Sequence, residues 1–352
     1  MTAPDERQNL LDLSFHKMED FLTGLGEPPF RARQVWQWLW QKKTVSPAEM
    51  TNVTKALREK LEEVAVIRRP EVAKRLESRD GTVKYVLALN DGNAVETVLI
   101  PEKGYYTQCL SSQVGCAMAC TFCRTGQMGL TRNLTPGEIL GQILVARADI
   151  ESRGFPFKLR NLVFMGMGEP LLNYNNLLQS LESLHHPQGL DFAARRITVS
   201  TVGIVPGLLE AGKSGLCALA ISLHAPTQEL RAQIMPKAAR LPLDELMRVL
   251  AQIPLKPRER LTFEYVLLGG VNDSPAEARE LVRLMRRVRG KVNLIAFNPA
   301  PGLPYQAPDP AKVAAFQKII WDQEITVTLR KSKGQDIFAA CGQLLAHEQE
   351  GV

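Results

Sequence analysis

Gly115-Cys116-Ala117-Met118-Ala119-Cys120-Thr121-Phe122-Cys123 is the stretch that decides the fold, because it spaces three cysteines as C-x3-C-x2-C. A structural zinc site needs four ligands, commonly in two C-x-x-C pairs, and the sequence contains no second pair. A cubane held only by protein needs four thiolates. Three thiolates in one loop leave one iron of a 4Fe-4S cluster open, as catalysis requires. The spacing therefore predicts one catalytic cluster per chain, with Cys116, Cys120 and Cys123 as ligands.

Short apolar segments alternate with amphipathic helices from Cys109 onward, which is typical of a parallel sheet with helical crossovers. Cys109 is expected on the first strand, and the later predicted strands are 161–165, 196–200, 217–223, 261–268, 292–297 and 326–329. A helix is predicted to begin after Thr135, with Pro136 at its first position and Glu138 closing a capping box. We therefore predict an α/β fold, a partial (β/α)6-type barrel over residues 101–345, with its chemistry at the carboxyl ends of the strands.

Residues 1–100 are predicted to form a small accessory region that is helical first and then built from short strands. The helix covers 30–42, and the strands cover 82–89 and 94–100, joined by the turn Asn90-Asp91-Gly92. This region is a possible RNA contact. Residues 346–352 are expected to be a tail.

The chain carries a net charge of +6, a mild basic excess that favours a nucleic-acid partner without establishing one. A surplus of the same size lies in residues 231–300 alone, peaking between Arg283 and Lys291, although solvated helix faces carry such clusters too. No apolar run approaches the length of a bilayer, and the polar start is unlike a signal peptide. We expect a soluble, cytoplasmic protein without a membrane partner.

The cysteine spacing, with an aromatic residue directly before the third cysteine, resembles the radical S-adenosylmethionine (SAM) superfamily. In that family the open iron chelates the amino and carboxylate groups of SAM, and reduction of the cluster releases a 5′-deoxyadenosyl radical. The loop Met165-Gly166-Met167-Gly168-Glu169-Pro170 resembles the family's Gly-Gly-Glu motif, with Met167 in place of the first glycine. The resemblance implies SAM binding by residues at the strand ends: Gly168, Glu169, Ser200, Ser222, Leu223, His224 and Asn298.

Several stretches are similar to the dual-specificity rRNA/tRNA adenine-C2 methyltransferases, and the similarity extends over nearly the whole chain. They are Val95-Glu96-Thr97, Cys109, the segment 111–116, the segment 165–170, and the segment 334–344 that contains Cys341. The resemblance implies methylation of carbon 2 of adenine in RNA, at adenosine 2503 of 23S rRNA and adenosine 37 of tRNA, with two SAM molecules used per turnover.

Carbon 2 of adenine is electron-poor and cannot attack the methyl group of SAM as an amine would. The resemblance implies that Cys341 first takes a methyl group from one SAM, becoming S-methylcysteine. A radical from the second SAM removes hydrogen from that methyl group, and the carbon radical adds to the ring. Glu96 then accepts the ring proton, and Cys109 attacks the Cys341 sulfur, which forms a transient disulfide and releases the product. Cys217 matches no role and is assigned to the core.

The implied partners are rRNA, tRNA and a low-potential electron donor, a flavodoxin or ferredoxin, and a monomer is expected. Arg330, Lys331 and Lys333 precede Cys341 by about ten residues, so we expect a cationic loop that holds RNA phosphates beside this thiol. Three alternatives remain open: an adenine-C8 rRNA methyltransferase of the antibiotic-resistance type, which shares the cysteines; a glycyl-radical activase; and a non-enzymatic iron–sulfur or zinc RNA-binding protein. Nucleoside analysis, RNA binding and release of 5′-deoxyadenosine, respectively, distinguish them from the favoured function.

Overall fold

The computed structural model describes residues 7–154 and 157–345. Its amino-terminal layer consists of helices α1 (Phe15–Gly24), α2 (Phe30–Gln37) and α3 (Lys55–Val64), beside the paired two-residue strands β1 (Gln8–Asn9) and β2 (Ala65–Val66). Ser14 and Thr54 cap α1 and α3, because their hydroxyl groups accept hydrogen bonds from amides three residues further on. α2 continues as a π-helical turn, Trp38–Lys42, so the helical span predicted over 30–42 is confirmed with a change of winding.

Antiparallel strands follow and form one side of the main sheet: β3 (Glu71–Glu77), β4 (Val83–Ala88), β5 (Ala94–Glu102) and β6 (Tyr105–Cys109). β4 and β5 confirm the strands predicted over 82–89 and 94–100. β3 was not predicted, because this outermost strand is exposed on both faces and carries charges on both. The sheet continues without a break through residue 100, so strands of both predicted regions hydrogen-bond in one layer.

β6 is also the first parallel strand of the barrel. The hairpin β7 (Gln113–Cys116) and β8 (Gly129–Asn133) brackets the cysteine loop, and the barrel continues with β9 (Leu159–Phe164), β10 (Ile197–Thr201), β11 (Ala218–Ser222), β12 (Leu261–Leu267), β13 (Gly290–Ala296) and β14 (Val327–Arg330). The ten-stranded order is β14-β13-β12-β11-β10-β9-β6-β5-β4-β3. Because β14 and β3 are not paired with each other, the barrel is open, and the predicted partial (β/α) barrel is confirmed.

Helices cover the outside of the parallel strands: α5 (Pro136–Ser152), α6 (Tyr174–His185), α7 (Gly207–Ser214), α8 (Gln228–Ile234), α9 (Leu243–Ala251), α10 (Pro275–Met285) and α11 (Pro310–Trp321). The short helix α4 (Arg124–Gln127) follows Cys123 within the β7–β8 loop. The capping box of α5 is confirmed. The Thr135 hydroxyl accepts from the Glu138 amide at 3.2 Å, and the Glu138 carboxylate accepts from the Thr135 amide at 2.9 Å.

The parallel strands form the centre of the core. On β12, Phe263, Tyr265 and Leu267 are fully buried on one face, and Glu264 and Val266 are buried on the other, as expected for a strand covered on both faces. Cys217 directly precedes β11 and packs, partly buried, against this core. Over the described ranges, no helix combines the length and apolar character that crossing a bilayer needs.

Candidate active site

The predicted site residues lie at the carboxyl ends of the parallel strands. Cys109 ends β6, Glu169 follows β9, Ser200 and Ser222 lie at the ends of β10 and β11, and Asn298 follows β13. Because parallel strands of a barrel end at one rim, residues far apart in sequence converge there.

A cleft and an adjoining cavity collect these side chains. The cleft is lined by Gly168, Glu169, Ser200, Ser222 and His224 together with Cys116, Cys120 and Cys123. The cavity is lined by Cys109 and Asn298, and Cys341 and Arg330 border both spaces. Leu223 differs from the other predicted residues, because its side chain is fully buried in the core and does not line either space.

The cysteine loop depends on close backbone approaches that only glycine allows. Gly115 has a φ of +74°, and a Cβ atom there would lie 1.9 Å from the Gly129 carbonyl oxygen across the β7–β8 hairpin. A Cβ atom on Gly126 would lie 2.9 Å from the Cys120 amide nitrogen. The Thr121 amide donates to a carbonyl oxygen of α8 at 3.0 Å, which joins the loop to the barrel.

Burial makes the three loop thiols poor anions unless a cation is present. It raises the pKa of Cys116 to about 12 and raises the pKa values of Cys120 and Cys123 above their ordinary range. Metal coordination is the usual way to stabilise such buried thiolates. Within the described residues, no three side chains of metal-ligating type converge on a point that a single ion would fill. A cubane binds each thiolate through a different iron, so this donor set fits a cluster.

Arg231, on α8, gives a second indication of an anionic group beside the loop. Its side chain is fully buried, and Nη2 donates to the Val202 carbonyl oxygen at 2.8 Å, whereas Nε and Nη1 have no hydrogen-bond partner in the described part of the chain. Burial lowers the pKa of Arg231 to about 10, and the charge of Cys120 acts in the opposite direction. A buried cation with unpaired donors is costly. A thiolate-ligated cluster next to Cys120 would compensate it.

Glu169 and His224 present an acceptor and a donor at the cleft. The Glu169 carboxylate accepts from the Val202 amide at 2.9 Å and from the Leu171 amide at 3.1 Å, and burial raises its pKa. His224 Nδ1 accepts from the Val266 amide at 3.0 Å, and burial lowers the pKa of this ring to about 3. Because Nδ1 accepts, the neutral ring carries its proton on Nε2. His224 is therefore a neutral donor at neutral pH.

Cys109, Cys341 and Arg330 meet in the cavity, and both thiols are free. Burial raises the pKa of Cys109 to about 12, with Cys341 adding to the effect and Arg330 opposing it. The charge of Cys341 raises the pKa of Arg330. Glu264, on β12, lines the cleft as well; burial raises its pKa, Arg330 lowers it, and the Asn293 amide donates to its carboxylate at 2.8 Å.

The basic residues have a different arrangement from the one expected. Arg330, Lys331 and Lys333 all line the cavity that holds Cys109 and Cys341, and Arg330 is the last residue of β14 and not part of a loop. Lys331 is exposed, and Lys333 lies 4.0 Å from Asp80. The basic residues between 283 and 291 lie at the amino ends of the strands, opposite the cleft. There Arg287 pairs with an aspartate of α9 at 2.5 Å.

Glu96 lies on β5 and lines neither the cleft nor the cavity. Its carboxylate is 2.9 Å from Lys84 Nζ and accepts from the Leu345 amide at 2.9 Å. Lys84, Arg231 and Glu264 were not among the site residues predicted from the sequence. A charged residue inside an apolar strand was the available signal for Lys84 and Glu264, whereas Arg231, on a short polar helix, had none.

The open barrel, the three-cysteine loop and the polar rim define a radical SAM enzyme. A family model for the radical SAM superfamily matches residues 110–282. A second model, described as the ribosomal RNA large subunit methyltransferase N-terminal domain, matches residues 8–67. Enzymes of the superfamily use a 4Fe-4S cluster and SAM, and the residues of the cleft fit both groups.

Comparisons over the full chain identify the family. The chain is 67% identical over 338 residues to the dual-specificity RNA methyltransferase RlmN of Solidesulfovibrio magneticus, covering 96% of each chain. It is 60% identical to the protein of the same name from Nitratidesulfovibrio vulgaris strain DP4, covering 97% of this chain and 95% of the relative. A crystal structure of a radical SAM methyltransferase from Sphaerobacter thermophilus superposes with a TM-score of 0.91 at 41% identity, covering 97% and 100%. The chain belongs to the RlmN family of dual-specificity RNA methyltransferases, which confirms the predicted radical SAM RNA methyltransferase.

Proposed function

We propose that this enzyme methylates carbon 2 of adenine in both rRNA and tRNA, with Cys341 as the carrier of the methyl group. The observation that supports this most strongly is the pair of free thiols, Cys109 and Cys341, in one cavity next to the three-cysteine cleft. A methyltransferase whose substrate atom attacks SAM directly needs neither thiol. A carrier and a second thiol that releases it are needed when the substrate carbon is not a nucleophile.

The cluster and SAM, when bound, supply the radical that activates the methyl group. Cys116, Cys120 and Cys123 are the proposed ligands of one 4Fe-4S cluster per chain. Glu169 accepts hydrogen bonds from the SAM ammonium group, and His224 donates through Nε2. The remaining proposed SAM contacts are Gly168, Ser200, Ser222, the backbone of Leu223, and Asn298. Two SAM molecules are consumed in each turnover, one as methyl donor and one as oxidant.

The side chains divide the remaining steps. Cys341 displaces the methyl group from SAM, with Arg330 beside it in the cavity. Glu96 accepts the proton from carbon 2; one of its oxygens contacts Lys84 Nζ and the other accepts from the Leu345 amide. Cys109 then attacks the Cys341 sulfur as a thiolate, which gives the disulfide and frees the methylated base.

The RNA must present its adenine unstacked, since the reacting groups lie inside a cavity. Lys331 is exposed and lines this cavity, so it is the proposed phosphate contact, and the amino-terminal layer offers a further RNA surface. We also propose a monomer in the cytoplasm that receives electrons from a flavodoxin or ferredoxin.

Trapping the covalent intermediate tests the proposed division of labour. Cys109→Ala should carry out every step before release and accumulate RNA bonded to protein through Cys341, seen as a nuclease-sensitive band on a denaturing gel. Cys217→Ala is the matched control, because this thiol lies outside the cavity, and it should turn over normally. The Cys109→Ala, Cys341→Ala double variant should give no band. An adduct that forms without Cys341 would refute the proposal.

Nucleoside mass spectrometry tests the position of the methyl group and the substrates. RNA from cells lacking the protein should lose 2-methyladenosine from both the rRNA and the tRNA fractions. Loss of 8-methyladenosine instead would establish the C8 reaction. Loss of 2-methyladenosine from one fraction alone would show that the enzyme methylates only that class of RNA, which would refute the proposed dual specificity.

A further inference from the structure

Cys341 lies on a stretch with little regular structure, residues 334–345, which we call the carrier segment. It contains one 3-10 turn, Gln335–Ile337, followed by Phe338 with a φ of +50°. A segment of this kind has no ladder or helix of its own. Its position therefore depends on the groups that bind its backbone.

Two buried side chains bind the carrier segment on either side of Cys341. Lys84 Nζ donates to the Phe338 carbonyl oxygen at 3.3 Å, and the Glu96 carboxylate accepts from the Leu345 amide at 2.9 Å. The same two side chains pair with each other, with 2.9 Å between Lys84 Nζ and a Glu96 oxygen. One ion pair thus connects both ends of the stretch that carries the reactive thiol.

The strands beneath hold this ion pair firmly. Lys84 is opposite Val98, and Glu96 is opposite Val86, so the two charged residues are diagonal neighbours on one face of the β4–β5 ladder. Their side chains are 8% and 3% exposed, so salt screens the pair weakly. A buried ion pair contributes little stability beyond that of apolar residues of similar size. What this pair adds is a defined position for the backbone groups that it binds.

These two attachments limit how far Cys341 moves, together with the Arg124 amide, which donates to the Gly342 carbonyl oxygen at 2.9 Å, and the Thr125 hydroxyl, which donates to the Leu344 carbonyl oxygen at 2.7 Å. Cys341 is three residues from Phe338, and a fully extended chain spans at most about 3.5 Å per residue, so it stays within about 10 Å of that anchor. The thiol has to approach SAM, then adenine, then Cys109. Because both ends of the segment are held, Cys341 reaches these three partners inside the cavity and does not leave it.

We infer that Lys84 is a positioning residue for methyl transfer: paired with Glu96, it holds both ends of the carrier segment so that Cys341 reaches SAM and later Cys109. This rests on the proposed function, in which Cys341 carries the methyl group. Lys84 touches no reacting atom and acts through the segment backbone.

The test uses holoenzyme variants at each attachment. Lys84→Met removes the ammonium group, Lys84→Arg keeps a charge, and Lys74→Met is the matched control on exposed β3. Leu345→Pro removes the amide hydrogen while leaving Lys84 and Glu96 intact, and Leu345→Ala controls for the side chain. Each variant is assayed for the rate of Cys341 methylation by SAM, for hydrogen exchange of residues 339–345, for iron content and for release of 5′-deoxyadenosine.

Lys84→Met and Leu345→Pro should each slow Cys341 methylation at least tenfold, and Lys84→Met should speed exchange of the 339–345 peptide by a similar factor. Iron content and 5′-deoxyadenosine release should stay within twofold, and Lys84→Arg should recover much of the lost rate. The inference is overturned if both variants methylate Cys341 at the wild-type rate, or if exchange in Lys84→Met is unchanged. If Lys84→Met does not fold, the inference is tested by the rates of Cys341 methylation in Leu345→Pro and Leu345→Ala, and equal rates overturn it. A wild-type enzyme that never methylates Cys341 would instead refute the proposed function, while the exchange measurement would still test the attachment.

Discussion

Replacing Arg330 with glutamine should slow the release step by the same factor at every pH from 7 to 9.5. The pKa of Cys109 is about 12, so at pH 8 only about one thiol in ten thousand is ionised, and this fraction rises tenfold for each pH unit. The positive charge of Arg330 lowers that pKa, so removing it raises the pKa further and reduces the thiolate at every pH below 12. An opposite charge close to a titrating group typically shifts its pKa by one unit or more. We therefore expect release to slow about tenfold.

A single-turnover assay measures this effect directly. RNA–protein adduct is formed at low pH, the pH is raised, and decay of the adduct band is followed between pH 7 and 9.5. The logarithm of the wild-type rate should rise by about one per pH unit without a plateau, and Arg330→Gln should follow a parallel line about tenfold lower. Lys74→Gln, on exposed β3 and away from the cavity, should leave the decay rate unchanged. A wild-type plateau below pH 9, or an Arg330→Gln line that superimposes on the wild type, would refute the reasoning.

Three further predictions follow from the cluster loop and the basic surface. Cys116→Ala should lose most of its iron and its activity, measured by iron analysis of anaerobically purified protein, and iron retention would contradict the ligand assignment. Arg231→Met should make the cluster harder to reduce, giving a more negative midpoint potential in an EPR titration, with Arg231→Lys closer to wild type, because a buried cation favours the added electron. Lys331→Gln should reduce the slope of log affinity against log salt by about one, whereas Arg287→Gln should not, since its charge is paired at the far end of the barrel.

Strands were predicted correctly from the sequence where a short apolar run is bounded by turn residues. The strands predicted over 261–268 and 292–297 correspond to β12 and β13 within about two residues at each end. The hairpin β7–β8 was not predicted, because its register shifts at Gly115, so side-chain alternation does not indicate a strand there. The cysteine loop itself was identified by spacing alone, since cluster chemistry fixes ligand type and number regardless of the surrounding fold.

Arg330 illustrates what the sequence did not settle. The predicted strand ended at 329, which left Arg330 in a cationic loop with Lys331 and Lys333, whereas β14 includes Arg330 as its last residue. Successive side chains on a strand face opposite sides, so one residue at the boundary decides whether an arginine meets solvent or the core. All three charged residues line the cavity, but their surroundings differ: Arg330 lies beside the two thiols, Lys331 is exposed, and Lys333 lies 4.0 Å from an aspartate of the accessory strands.

The open edge of the barrel explains why the accessory strands belong to the chemistry. The carrier segment follows β14 at one edge of the sheet, and it is bound by the β3–β4 turn, which lies at the opposite edge. Asp336 accepts from the Ser78 hydroxyl at 2.5 Å and from the Arg79 amide at 3.2 Å, and the Gly334 amide donates to Asp80 at 3.1 Å. A domain boundary at residue 100, natural from composition, therefore divides residues that work together. The barrel supplies the cleft, and the antiparallel extension supplies the backbone attachments that keep the thiol of the carrier segment within reach of it.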